Sequence, residues 1–321
     1  MPLDSWNTKS AKVLLSGASG MLGVALSKAL TQQGATLLRL VRQSPSRPPS
    51  RPPFRSDELH WNPVSGELPD SEKLEDLSAA IHLSGANVAS HRWTDSYKRE
   101  MTESRVTTTR VLAGALSKLK NPPSVLIAAS AVGFYGDRGD RILDEDAGQG
   151  IGYFPDLCAA WEAATRPAED AGIRVVHLRF GMVLGADRGS GGGALAKLAP
   201  MFHLGLGGPL GSGKQWMSWV SEADAIAAAL FALHNSSLSG PVNVTAPNPV
   251  TTAEFTRELG RAVHRPAIVP APAFALRLAF GQMADEALLA STRAVPKRLL
   301  DAGFSFTYPT LAQAFAAALK P

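Results

Sequence analysis

A chain of 321 residues, 45% apolar and 19% charged, with 29 glycines and 23 prolines, has ordinary globular composition and length for a sizeable core, which disfavours collagen, coiled coil and wholesale disorder. The formal charge of +4 is a small excess, and three of its cations, Arg47, Arg51 and Arg55, share one Pro-rich stretch, so no nucleic-acid partner is expected. The single cysteine, Cys158, excludes an intrachain disulfide and a multi-thiolate zinc site, so no metal is expected. The polar start, Met1 to Ser10, and the short longest apolar run, Ala225 to Leu233, predict a cytoplasmic protein with no membrane partner.

In chain order, Val13 to Leu15 is a short apolar strand, followed by a glycine turn and a helix from Val24 to Gln33, with a second strand over Ala35 to Arg42. The twice-repeated Ser-Arg-Pro-Pro of Ser44 to Arg55 predicts a loop, because proline lacks the amide donor. Further strands are expected at Leu77 to Leu83, Val125 to Ala129 and Ile173 to Leu178, alternating with helices at Asp95 to Lys118 and Leu157 to Ala171. This alternation predicts an α/β Rossmann domain over residues 11–185, a doubly wound parallel sheet with its ligand site at the carboxyl ends of the strands. Residues 186–321 are expected to form a smaller α/β substrate lobe, with elements returning to the first domain. It opens on the glycine-rich connector Gly189 to Gly193 and contains helices after Ser221 and Thr251. Short strands are expected at Val242 to Thr245 and Ala267 to Val269.

Gly17-x-x-Gly20-x-x-Gly23, between a strand and a helix, lets the backbone turn tightly and presents the amides around Ser19, Met21 and Leu22 to a pyrophosphate. At the end of the second strand, where a carboxylate would bind the ribose hydroxyls of NAD, stands Arg42. A guanidinium there matches a 2′-phosphate, so NADP(H) is the expected cofactor, with Arg39 a weaker second candidate.

These residues, with Leu83-Ser84-Gly85-Ala86 after a strand and Ser130 ahead of Tyr135-Gly136, resemble the extended short-chain dehydrogenase/reductase superfamily of nucleotide-sugar epimerases and dehydratases. Arg92-Trp93, Glu103-Ser104-Arg105, Trp161-Glu162, Arg179-Phe180-Gly181-Met182-Val183 and Leu206 to Gly213 narrow the match. They resemble an epimerase-like subfamily whose bacterial members are labelled nucleotide-sugar epimerases or cell-division inhibitors. The resemblance implies cofactor contacts at Arg42, at Leu83, Ser84 and Gly85 beside the nicotinamide ribose, and at Val183 near the nicotinamide. It places Glu100 and Arg105 toward the adenosine half, and it implies a homodimer through the long helices.

Superfamily catalysis uses a tyrosine with a lysine four residues on, and a serine that polarises the substrate. Here Cys158 and Glu162 stand at the tyrosine and lysine positions. Cys158 is either a substituted acid/base or a packed helix residue, and Glu162 is either a new base or the partner of Arg166. Ser130, or Ala131 in a shifted alignment, occupies the serine position, and Tyr135 offers a hydroxyl from another direction. Lys214, Gln215 and Trp216, on an expected hairpin that lacks phosphate-loop spacing, would line the cleft of a polar substrate opposite Arg92 and Trp93. The implied function is an NADP(H)-dependent epimerase or oxidoreductase acting on a sugar or nucleotide sugar. The alternative is an NADP(H)-dependent binding or regulatory protein with impaired catalysis.

Overall fold

The computed structural model describes residues 11–42, 57–63, 66, 68, 71–185 and 193–319. The Arg/Pro loop of 44–55 and most of the connector at 189–193 lie outside the described residues. The chain opens with β1 (Lys12–Ser16), α1 (Met21–Gln32) and β2 (Thr36–Arg42). It then adds a strand absent from the sequence expectation, β3 (Glu58–Trp61), whose Leu59 and Trp61 alone turn inward. β4 (Ala79–His82) precedes α2 (Asp95–Thr102), which runs through a π turn, Glu103–Thr107, into α3 (Thr108–Leu116). The single helix expected there carries a bulge. After β5 (Val125–Ala131) and β6 (Ile142–Leu143), the next expected helix starts early and divides into α4 (Tyr153–Ala163) and α5 (Arg166–Asp170). Pro167 lies in the first turn of α5, where its missing amide costs nothing.

β7 (Arg174–Phe180), β8 (Met182–Leu184), α6 (Ala194–His203), β9 (Trp216–Met217), β10 (Trp219–Ser221) and α7 (Glu222–His234) follow. The chain ends with β11 (Gly240–Val244), β12 (Val250–Thr251), α8 (Thr252–Ala262), α9 (Ala273–Phe280), β13 (Arg293–Ala294), α10 (Lys297–Asp301) and α11 (Leu311–Ala318). Ser221 caps α7 by accepting the amide of Asp224, and Thr251 and Glu254 close a capping box on α8.

Seven parallel strands form one sheet in the order β11-β7-β5-β4-β1-β2-β3. Alternation assigns each side chain to a face: Val13, Leu15, Ile81, Ile127 and Leu178 pack under α1 and α7, while Leu14, Ala80, Leu126 and Val175 pack under α3 and α5. The order reverses between β1 and β4, and the crevice at a reversal lies beyond the carboxyl ends of the strands.

Two expectations for the second half are corrected, while the strand expected at Val242 to Thr245 is present. Val242 to Val244 belongs to an edge strand of the main sheet, β11, paired with β7, because its buried Val242 and Val244 complete the apolar layer beneath α7. Ala267 to Val269 is not a strand; this stretch runs beside residues 207–209 with the Val269 amide donating to the Gly207 carbonyl. Gly211 to Trp219 is not a hairpin, since β9 pairs antiparallel with β12 and β10 pairs parallel with β8.

Candidate functional site

The loop after β1 and the loop after β4 are in contact at the reversal. Gly17 has φ +71°, and a Cβ there would stand 2.7 Å from the Leu83 carbonyl carbon; at Gly23 it would stand 2.1 Å from the Gly17 oxygen. Only glycine allows both approaches. α1 begins at Gly20 with no side-chain cap, so its first amides, from Met21 onward, are left for an outside acceptor. Ser19 is exposed beside them, and Met21 and Leu22 are half-buried. This backbone cradle fits a dinucleotide pyrophosphate.

Arg42 is exposed at the carboxyl end of β2 without a hydrogen-bond or ion-pair partner among the described residues. Arg39 forms an ion pair with Asp57, which engages the second candidate for a 2′-phosphate. Beneath the cradle, Ser16 Oγ and His82 Nδ1 lie 2.6 Å apart, tying β1 to β4, and burial holds the His82 imidazole down to about 4.

Leu83 and Ser84 are half-buried along the crevice, and Val183 is half-buried on β8 opposite Val220. Glu100 is exposed on α2. Arg105, expected to reach the adenosine half, is instead buried beneath the loop. Its guanidinium donates to the Ala86 carbonyl at 2.8 Å, lies 5.0 Å from the Trp161 ring centroid and would crowd any side chain at Gly85. The π turn points it inward, with Ser104 Oγ accepting the Ala86 amide at 3.0 Å, so this pair shapes the loop from below.

Toward the carboxyl ends of β5 and β7, Ser130 and Arg179 stand side by side in register, and both are buried. The Arg179 guanidinium donates to both carboxylate oxygens of Glu162, at 2.7 and 2.8 Å, and Ser130 Oγ donates to Glu162 Oε1 at 2.6 Å. Burial works against the Arg179 charge, but the hydrogen bonds and charge of Glu162 outweigh it and hold the guanidinium above its ordinary range. Arg179 also stacks 3.6 Å from the Phe134 ring centroid. Arg166 pairs with Asp170 and not with Glu162.

Two catalytic expectations fail on burial. Cys158 is fully buried and its thiol is pushed up to about 12, by desolvation first and by Glu162 second, so it stays protonated and packs on the sheet. Tyr135 is also fully buried; its hydroxyl donates to Asn243 Oδ1 at 2.8 Å and accepts from Arg179 at 3.0 Å, which leaves it out of a substrate's reach.

The expected substrate contacts divide in the same way. Trp93 is buried between Tyr153 and Phe154, its indole N–H donating to the Val88 carbonyl, and Gln215 is buried with its amide spent on Leu210, Leu288 and Ser212. Neither presents a face to a ligand. Arg92 and Lys214 are exposed. Trp216 is half-buried, bonded to Asp140 and stacked 3.8 Å from the Arg293 guanidinium. Arg179 enters the sequence expectation only within a motif, without a role of its own, and Asn243 and Arg293 are not among the expected site residues. The available signal was an arginine ending a buried strand, since such a cation requires a partner.

A family model described as the NAD dependent epimerase/dehydratase family matches residues 13–245, and the chain belongs to this family. A second model, a domain of unknown function, matches residues 271–318. Among relatives, the epimerase family protein Mb2239 of Mycobacterium bovis is 46% identical, with 95% of this chain and 96% of that one covered. The epimerase family protein YfhF of Bacillus subtilis is 34% identical over 93% and 95% of the two chains. The human epimerase family protein SDR39U1, crystallised with NADPH, superposes with a TM-score of 0.82 at 30% identity, covering 96% of this chain and 98% of that one.

Proposed function

We propose that this protein binds NADP(H) at the ends of β1 and β4 and acts on a small polar substrate, a sugar or nucleotide sugar, moving a proton through Ser130 and Glu162. The observation that carries this reading is the Ser130, Glu162 and Arg179 array, which stands where the superfamily's tyrosine and lysine are missing. The cofactor, when bound, supplies the hydride acceptor or donor. Ser130 turns its own proton toward Glu162, which leaves its oxygen lone pairs to accept a substrate hydroxyl. As that hydroxyl gives up its proton to Ser130 Oγ, the serine proton passes to Glu162, and Arg179 fixes the carboxylate in place. Preference for NADP(H) rests on the unpartnered Arg42 and on the NADPH bound to the human relative. The protein acts in the cytoplasm as a homodimer built on its long helices.

Titration with NADPH and NADH, followed by nicotinamide fluorescence, tests the cofactor assignment. Arg42→Ala should weaken NADPH by about tenfold or more, the value of a charge-assisted hydrogen bond, and leave NADH nearly unchanged. Equal loss for both nucleotides would remove the 2′-phosphate role. Turnover of a screened sugar substrate should be lost in Glu162→Gln with NADPH affinity retained. NADPH binding with no turnover across the screen favours the regulatory reading, which the buried Cys158 and the missing tyrosine and lysine support.

A further inference from the structure

Tyr135 and Asn243 are fully buried, yet both carry polar groups, and the proton path proposed above uses neither. A polar group taken out of water needs a partner, and here the partners also fix the direction of each bond. The Asn243 side chain donates from Nδ2 to the Val295 carbonyl at 3.0 Å and to the Leu143 carbonyl at 3.4 Å. With carbonyls on that side, Oδ1 turns the other way and accepts the Tyr135 hydroxyl at 2.8 Å. The Tyr135 proton is thereby committed to Asn243, and its lone pairs are left to accept Arg179 Nη1 at 3.0 Å.

Arg179 is thus held by every nitrogen of its guanidinium: Nε and Nη2 reach Glu162, Nη1 reaches Tyr135, and the Phe134 ring covers one face at 3.6 Å. The two bonds to Glu162 align the guanidinium with the carboxylate, but both partners are long side chains that can turn together. Tyr135, fixed in the short turn that follows β5, removes that freedom. The outer end of the series is anchored too, since the backbone amides of Asn243 and of Arg298, on α10, donate to Glu145 Oε1 at 3.0 and 3.2 Å. Val295 and Arg298 both belong to residues 271–318, the segment that matches a domain of unknown function.

The geometry points to Tyr135 as a positioning residue: with Asn243 behind it, its hydroxyl pins Arg179 and, through Arg179, holds the Glu162 carboxylate against Ser130. Its effect on turnover rests on the proton path proposed above, while its effect on Arg179 stands apart from that path. The C-terminal segment gains a task in the site as well. The Val295 carbonyl, at the far end, sets a polarity that runs through Asn243, Tyr135, Arg179 and Glu162 and leaves the Ser130 lone pairs as the acceptor.

The test follows exchange of the Arg179 Nε–H with water by nitrogen NMR on the whole protein, the signal being assigned by its loss in Arg179→Lys. Tyr135→Phe keeps the ring and removes the hydroxyl, and exchange should quicken by about tenfold or more, the value of a hydrogen bond to a charged group. That variant also leaves Asn243 Oδ1 buried without a donor, so its melting temperature should fall. Tyr135→Phe with Asn243→Leu separates the two effects. It removes the orphaned oxygen, while the Leu143 carbonyl keeps the Val295 amide and the Val295 carbonyl keeps the Lys297 amide, so much of the melting temperature should return. Arg179 Nη1 still lacks its acceptor there, and fast exchange should persist. With a substrate in hand, both variants should lower kcat and leave KM nearly unchanged. Wild-type exchange in Tyr135→Phe would overturn the proposal, and so would slow exchange restored in the double variant, which would make the hydroxyl a matter of stability alone. Should Tyr135→Phe fail to fold, exchange in the double variant decides by itself. Quickened exchange in both variants, with no turnover by the wild type across a substrate screen, would sink the proton path and leave the positioning role standing.

Discussion

At the scale of single residues, Arg179 and Glu162 form the buried ion pair on which the proposed chemistry rests. Both side chains are nearly out of water, at 4% and 12% exposure, and each is the other's charge partner. Breaking a buried pair from one side costs about 3–5 kcal/mol, while replacing both partners costs much less. Arg179→Met should therefore destabilise the fold by that amount, and adding Glu162→Gln should recover a large part of it. Urea unfolding of the two single variants and the double variant measures this coupling, and strict additivity would mean that the two groups stand independently. Glu162 and Ser130 were legible as candidates because a motif placed them. Arg179 was not, because its role depends on β5 and β7 lying side by side, a neighbour relation across 49 residues of chain that no local pattern encodes.

At the scale of elements, the strand, glycine turn and helix from Lys12 to Gln32 could be read from local chemistry alone. Its glycines act through short-range sterics, so spacing reveals them. Gly23→Ala would press a methyl group into the Gly17 carbonyl, and a contact of 2.1 Å cannot be absorbed without moving the turn. NADPH binding should fall by about a hundredfold or more, as misplacement of two or three charge-assisted amide contacts implies, with the far-ultraviolet circular dichroism spectrum kept. Unchanged affinity would mean that the turn is not the pyrophosphate cradle. The π turn of Glu103–Thr107 was not legible. One extra residue in a helix leaves the apolar repeat nearly intact, yet it rotates Arg105 from the expected ligand side to the underside of the 84–86 loop. β3 escaped for a different reason: four residues with two inward side chains offer too little alternation to register.

For the whole molecule, the burial of His82 makes stability depend on pH. His82 is neutral in the fold and titrates near 4, whereas an unfolded histidine takes its proton near 6.5. Its contribution is complete above the unfolded value and is lost as pH falls from about 6.5 to about 4, at roughly 1.4 kcal/mol per unit and about 3 kcal/mol in all. His177, also buried and held below its ordinary value, adds to the same slope. Urea unfolding between pH 7.5 and about 5.5 should show stability falling with pH, and His82→Asn should flatten the curve. An unaltered slope would place the dependence on other groups. The sequence by itself determined the parallel sheet and the glycine cradle, because strand periodicity and close backbone approach are written in neighbouring residues. Only the tertiary structure decided which polar groups face the crevice and which are spent inside. Packing Tyr135, Cys158, Trp93 and Gln215 into the interior, and holding the equally buried Ser130 against Glu162 and Arg179, follows from strand register and layer packing, which bring together side chains far apart in the chain.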